Sequence, residues 1–229
     1  MDIPSGLNHL KMVTSITEHN QRLTTTKMNA SHHHLIILGI SLSILYQAGT
    51  CHRKCFGGSH ILESLSGRAY NLACSSYLLI CNGFYDEALN LVRSIGEITN
   101  LVALSVVDKD ALERWINSDT RTRLRDFSPV KVRTLLEKHE PALLCVNKDW
   151  YSHFCENYTH VHAGTKPNVH NESNQAYVGG IVQDDGFNLS IAELTNITAQ
   201  LALFISQYTE MTDMFSELSY AINNLKTKL

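Results

Sequence analysis

Two groups of side chains in this sequence have the types and spacing for chemistry on a phosphodiester. The first is Arg93 and Glu97, four residues apart within YDEALNLVRSIGEITNLVALSVV, residues 85–107. The second is His160 and His162, in the run Tyr158-Thr159-His160-Val161-His162. An imidazole titrates near neutral pH and can pass a proton. A guanidinium holds a phosphate, and a carboxylate orients either group. One histidine beside the Arg–Glu pair therefore supplies the parts of a metal-independent phosphodiester cleavage. A structural alternative stands beside this reading. Arg93 and Glu97 can form an internal bridge that fixes helix packing, although Arg before Glu is the weaker orientation. The histidines can then do no more than close a helix through hydrogen bonds.

The surroundings of the pair make it informative. Ala88, Leu91, Val92, Ile95, Ile98 and Val102 recur at helical spacing on one face, and Leu89, Leu101 and Leu104 lie towards the other side. This predicts a helix of about six turns with little surface left for water. Asn90, Arg93, Glu97 and Asn100 share the narrow polar stripe that remains. Uncompensated buried charge costs several kcal/mol, so charge on such a helix needs a reason. On a continuing helix His160 and His162 diverge by about 200°, so they can converge only at a helix end.

At 229 residues the chain can bury one good core. The expected division is an N-terminal extension over residues 1–30 and a single helical bundle over 31–229. Hydrophobic residues make up 44% and charged residues 18%, as in ordinary globular proteins. A net charge of -3 gives no general electrostatic case for nucleic acid, though it leaves room for a local basic patch. Six cysteines are too few and scattered for a disulfide scaffold in a chain of this size. Cys51 and Cys55, with His52 between them, offer two thiolates and an imidazole. No second Cys or His pair follows at ligand spacing, so neither a metal nor a cofactor is predicted. The same holds for His32, His33 and His34.

The start, MDIPSGLNHLKMV, lacks the pattern of a signal peptide. The longest apolar run, LIILGISLSILYQA, has 14 residues, whereas a membrane span needs about 20. A cytoplasmic location with no membrane partner is the expectation.

The elements around these groups follow from pattern. Leu7, Leu10, Val13 and Ile16, spaced by three, predict a short amphipathic helix, then a connection through Thr24, Thr25 and Thr26. Core helices are predicted over residues 33–48 and 59–81. Asn82-Gly83 ends the second and makes an antiparallel hairpin with the Arg–Glu helix. A short helix over 109–116 brings Trp115 onto the hairpin. SDTRTRLRDF, with Arg121, Arg123 and Arg125, reads as a loop, either a solvated connector or a phosphate-contacting patch. Ser128-Pro129 starts a helix that runs to His139 and carries Arg133. A helix over 148–160 carries Trp150, Tyr151, Phe154 and Tyr158, with Gly164 as its terminating glycine. Residues 176–183, followed by Asp184-Asp185-Gly186, have the look of a small β-hairpin or extended flap. Ser190 and Glu193 form a capping box that opens a C-terminal helix reaching about residue 225, single or kinked near 209–213. The fold class is all-α, a helical bundle with at most one small hairpin.

The run GFYDEALNLVRSIGEITNL, the Trp-bearing short helix and the Tyr-rich helix ending in YTHVH carry a resemblance. Together, over residues 59–164, they resemble a bacterial helical family catalogued as a domain of unknown function (DUF5677-like). That family is similar in turn to the HEPN superfamily of helical-bundle ribonucleases and nucleotide-binding proteins. The resemblance matches Arg93 and Glu97 to an Arg-x3-Glu pair and His162 to a later histidine at a helix end. It implies a metal-independent ribonuclease, homodimeric, with an antitoxin or defence-system partner. In that reading His162 or His160 is the acid/base, Arg93 binds the scissile phosphate, and Glu97 orients one of them. Asn100 and Tyr158 are candidate binding positions beside them. HEPN ribonucleases carry Arg and His on one helix with four to six residues between, a spacing that Arg133 and His139 also meet. The alternative is a non-catalytic helical module that binds a nucleotide or a protein, its Arg–Glu pair structural.

Overall fold

Apolar residues at helical spacing, interrupted by few prolines, set the architecture. The computed structural model describes residues 5–28, 31–55, 57–169 and 177–226. Among these the chain forms ten α-helices and no strand. They are α1 (Leu7–Lys27), α2 (His32–Gly49), α3 (Ile61–Cys81), α4 (Tyr85–Val107), α5 (Ala111–Asn117), α6 (Thr120–Asp126), α7 (Pro129–His139), α8 (Lys148–Phe154), α9 (Asp184–Tyr208) and α10 (Thr212–Lys226). A single 3-10 turn, Pro141–Leu143, follows α7, and α8 runs on into a π-helical turn, Cys155–Thr159.

The central bundle is α2, α3, α4 and α9. Each of α2 and α4 packs on both α3 and α9, α10 covers α2 and α9, and α7 lies on α4. Ile44, Leu45, Ile80, Leu89, Ile95, Leu194 and Leu201 are fully buried between them. Each such side chain contributes about 1.5–3 kcal/mol by leaving water. Most of the apolar positions predicted for α4 are buried, Ala88, Val92, Ile95 and Val102 on one side and Leu89, Leu101 and Leu104 on the other, while Leu91 and Ile98 are half-buried at the edge of the core. Helix α9 is long and apolar enough to cross a membrane by length and composition, but its apolar surface is spent on the bundle core.

The turn after α3 is where the glycine is needed. Gly83 has φ +76°, and a Cβ there would meet the Ile181 carbonyl oxygen at 2.4 Å. Ile181 N–H donates to Gly83 O at 3.1 Å, so the 177–183 segment buttresses the α3–α4 turn. No β-hairpin forms over its described part, and residue 176 lies outside the described residues. The expected flap is split in the same way: residues 170–176 lie outside the described residues.

Several expected boundaries move, each for a physical reason. The C-terminal helix starts at Asp184 and not at the Ser190–Glu193 capping box. Asp184 and Asp185 sit in its first turn, where the helix dipole favours acids. Ser190 is buried in the helix, and Glu193 accepts from Trp150 Nε1 at 3.0 Å. The helix breaks once, at 209–211, so two helices form. The Arg121–Arg125 stretch is not a loop. The Asp119 side chain accepts from Thr122 N–H at 2.7 Å and caps α6 there. Gly164 does not end the Tyr-rich helix, which closes five residues earlier when His160 turns extended.

Helix α1 continues through Thr24, Thr25 and Thr26, where a connection was expected. It is tied to the body by polar groups. Asn20 Nδ2 donates to Asn82 O and Gly180 O, each at 3.0 Å, and Thr24 Oγ1 donates to Cys81 O at 3.0 Å. Its Leu7, Leu10, Val13 and Ile16 face outward.

Asp86, in the first turn of α4, makes the bundle pH-sensitive. Burial pushes its carboxyl up to about 6, against the bond it accepts from Val169 N–H at 2.6 Å. Glu87 adds a smaller upward push. A raised carboxyl favours the protonated folded state, so its contribution is full below about pH 4 and is lost as pH rises through 6. An Asp86→Asn variant is expected to gain about 1–2 kcal/mol over the parent at pH 7 and nothing at pH 4. Urea titrations of both proteins across that window check it, and a constant difference would refute the assignment.

Candidate functional site

Arg93 and Glu97 project from the middle of α4, one turn apart, towards α8. Arg93 Nη1 donates to Glu97 Oε1 at 2.9 Å and to the Tyr151 hydroxyl at 3.0 Å. Tyr151 in turn donates to the same Glu97 oxygen at 2.8 Å, which closes a triangle. The tyrosine hydroxyl is held well above its usual range by burial first, then by its bond to Glu97 and that residue's charge. It therefore stays a proton donor to the carboxylate. The Arg93 side chain is 16% exposed and that of Glu97 31%, so the carboxylate still faces open space.

That space is a cavity of about 360 Å³ between α3, α4, α5 and α7. Glu97, Asn100 and Tyr151 line it, together with Arg68, Arg133, Trp115 and Phe127. Arg68 is exposed at its edge, whereas Arg133 is only 6% exposed. The Arg133 guanidinium lies over the Tyr151 ring, 4.6 Å from its centroid. A cation over an aromatic face gains about 0.5–2 kcal/mol, far less than the cost of desolvating it. Arg133 Nη1 is buried and has no hydrogen-bond partner among the described residues. A second cleft, of about 790 Å³, opens beside Ser105, Lys109 and Tyr208. It is wider, but no buried unpartnered polar atom among the described residues lines it.

Other predicted positions fall elsewhere. His160 and His162 are both exposed, beyond the π-helical turn, and neither lines the cavity. Nδ1 of His162 accepts from Gly164 N–H at 3.0 Å, and the backbone N–H of His162 donates to Thr165 Oγ1 at 2.8 Å. Tyr158 is half-buried, edge-on to Phe154 at 5.2 Å. Its hydroxyl is pushed up to about 12, by burial first and then by Asp86 and Glu193. His139 is exposed while Arg133 is buried. Six residues place the two about 120° apart around α7, so they do not converge.

Asn100 reaches the cavity wall, yet its polar atoms are engaged. Its Nδ2 donates to Val146 O at 2.8 Å, and its Oδ1 accepts from Cys145 N–H at 3.2 Å and Val146 N–H at 3.1 Å. It pins the loop that leads into α8 and so sets the height of Tyr151. Asn100→Ala is expected to cost about 2–3 kcal/mol, since it removes the partner of two buried backbone groups of Val146 and of the part-buried Cys145 N–H. Chemical denaturation measures this, and a loss under 0.5 kcal/mol, the size of an ordinary surface substitution, would refute the clamp.

Tyr151 and Arg68 were not singled out in the sequence. Nothing local marks Tyr151, because its importance comes from Arg93, Glu97 and Arg133, which lie 58, 54 and 18 residues away in the chain. Trp115 was expected on the hairpin, and it is there, but as part of the cavity wall.

No curated protein and no solved structure matches the chain. A family model described as a family of unknown function, DUF5677, matches residues 59–143. That stretch takes in α3 to α7 with Arg68, Arg93, Glu97 and Arg133, but ends before Tyr151 and both histidines. Over this central third the chain is similar to a family of unknown function.

Proposed function

We propose that this protein is a helical nucleotide-binding module of HEPN-like descent, and that its cavity takes a small phosphorylated ligand. The observation that carries the reading is Arg133, a guanidinium almost sealed from water and lacking a partner for Nη1. A charge so placed carries a desolvation cost that an anion beside it would offset. Glu97 is already shared between Arg93 and Tyr151. A phosphate is the ligand group that suits a planar fork of donors. Arg68 at the edge adds a second cation, and Trp115 and Phe127 offer apolar rings for a base. The volume is at the small end for ligand sites, which suits a mononucleotide better than a strand of RNA.

Binding is favoured over cleavage because the imidazoles expected as acid/base, His160 and His162, stand outside the cavity, and the Glu97 carboxylate on its wall is engaged by Arg93 and Tyr151. The test is calorimetric titration with nucleoside mono- and diphosphates, beside an RNA cleavage assay in magnesium-free buffer. Saturable binding of a mononucleotide without RNA cleavage is the expected result. Absence of binding up to millimolar concentrations would overturn the proposal. Cleavage lost in a folded His162→Ala variant would put the ribonuclease reading in its place.

A further inference from the structure

The loop from α2 to α3 brings four donor atoms to one point. Cys51 lies just past α2, Cys55 follows in the loop, His60 is the N-cap of α3, and Glu63 is in its first turn. The two thiol sulfurs, one imidazole nitrogen and one carboxylate oxygen all lie within 4.8 Å of one another. Individual edges are 3.8 Å from Cys51 Sγ to Glu63 Oε1, 3.7 Å from Cys55 Sγ to His60 Nδ1, and 3.4 Å from His60 Nδ1 to Glu63 Oε1. Zinc bonds of about 2.3 Å to sulfur and about 2.0 Å to nitrogen or oxygen give tetrahedral edges of about 3.3–3.8 Å. Three of the six edges already sit at that spacing, and the remaining ones, within 4.8 Å, close by a small side-chain adjustment.

The backbone is bent to bring them there. Cys51 and His60 are both non-glycine residues with positive φ, 54° and 49°, and Gly57 and Gly58 between them are left-handed as well. Such conformations persist where the surrounding structure demands them. Salt bridges hold the intervening loop against the α9–α10 turn and the start of α10, Arg53 to Asp213 and Lys54 to Glu210, each at 2.6 Å. Glu63 is buried at the floor of the cluster, while Cys55 and His60 are exposed at its mouth. The sequence pattern is Cys-x3-Cys-x4-His-x2-Glu.

We propose that Cys51, Cys55, His60 and Glu63 bind one zinc ion that staples the α2–α3 loop. Two thiolates with nitrogen and oxygen donors are a set suited to zinc, and magnesium or calcium would want oxygens throughout. Four protein ligands complete the tetrahedron, so no position is left for a reacting water and the site is structural. Binding releases the two thiol protons, and His60 coordinates as the neutral imidazole. His52, inside the same loop, is not a ligand.

Elemental analysis of the full-length protein, purified without a metal-affinity step under reducing conditions, is the test. One zinc per chain is expected, reduced to a small fraction in Cys55→Ser and His60→Ala and unchanged in His52→Ala. Both ligands lie at the surface, so these variants keep their helical circular dichroism. Cobalt added to apoprotein should give the intense visible bands of a tetrahedral site and a thiolate charge-transfer band that weakens in Cys55→Ser. A wild-type protein that takes up neither zinc nor cobalt would overturn the proposal. So would metal content that survives both ligand substitutions, or a Cys51–Cys55 disulfide as the form isolated.

Discussion

An Arg133→Leu variant is expected to lose affinity for a phosphorylated ligand by about a hundredfold, while folding at least as stably as the parent. The two effects have one cause. The guanidinium is 6% exposed and keeps a polar atom without a partner, so the unliganded fold bears its desolvation. Replacing such a charge with a packed aliphatic side chain is commonly neutral or stabilising, here by about 1–2 kcal/mol. In a chain of this length that is a rise of roughly 3–6 °C in melting temperature. Arg93 keeps its bonds to Glu97 and Tyr151, so the neighbouring triangle is not stranded. Arg133→Lys should fall between, because it keeps the charge and loses the planar fork that stacks on Tyr151. Calorimetry with a nucleoside monophosphate and a thermal melt on the same samples measure both arms. Unchanged affinity would remove the cavity from consideration. A variant that melts far below the parent would make Arg133 a structural cation, and the binding argument would fail with it.

How legible was this in the sequence? Helix α4 was, because its burial pattern is local and strong: apolar residues on both sides leave one polar stripe, and that stripe carries Arg93, Glu97 and Asn100. The start of α7 was, because Ser128-Pro129 is a local signal. Asp184-Asp185-Gly186 misled, because the same residues suit a turn and an acidic first turn of a helix. What decides between them is Tyr85, about a hundred residues away. The site suffered most from this. Arg93 finds Tyr151 at a separation of 58 residues, and no spacing rule reaches that far. Arg133 was singled out for its spacing to His139, whereas the structure gives it importance through Tyr151. The cysteine cluster was half legible: Cys51 and Cys55 stand at a spacing that suits two thiolates, but no second pair follows them. His60 and Glu63, five and eight residues beyond Cys55, complete the set from a helix start.

Tyr85 carries the largest stability effect we expect. Its side chain is fully buried, and its hydroxyl sits between the Gln183 N–H, which donates to it, and the Gln183 carbonyl, to which it donates, each at 3.2 Å. It thereby joins the start of α4 to the start of α9 across the bundle. Tyr85→Phe removes only those two bonds and should cost about 1–2 kcal/mol. Tyr85→Ala also empties the ring's volume and should cost about 4–5 kcal/mol, a drop of roughly 10 °C or more in melting temperature. Gly186 supplies a control that a general loss of packing cannot mimic. A Cβ there would lie 2.3 Å from Tyr85 Cδ2, so Gly186→Ala in the parent forces the ring aside at a cost of about 1–3 kcal/mol. In the Tyr85→Ala background the ring is gone and the helical preference of alanine over glycine remains. The same substitution should then stabilise, by about 0.5–1 kcal/mol. A reversal of sign between the two backgrounds is a coupling of several kcal/mol, well beyond the error of additivity. If Gly186→Ala has the same effect in both, the ring does not rest on α9 and the joint between the two helices lies elsewhere.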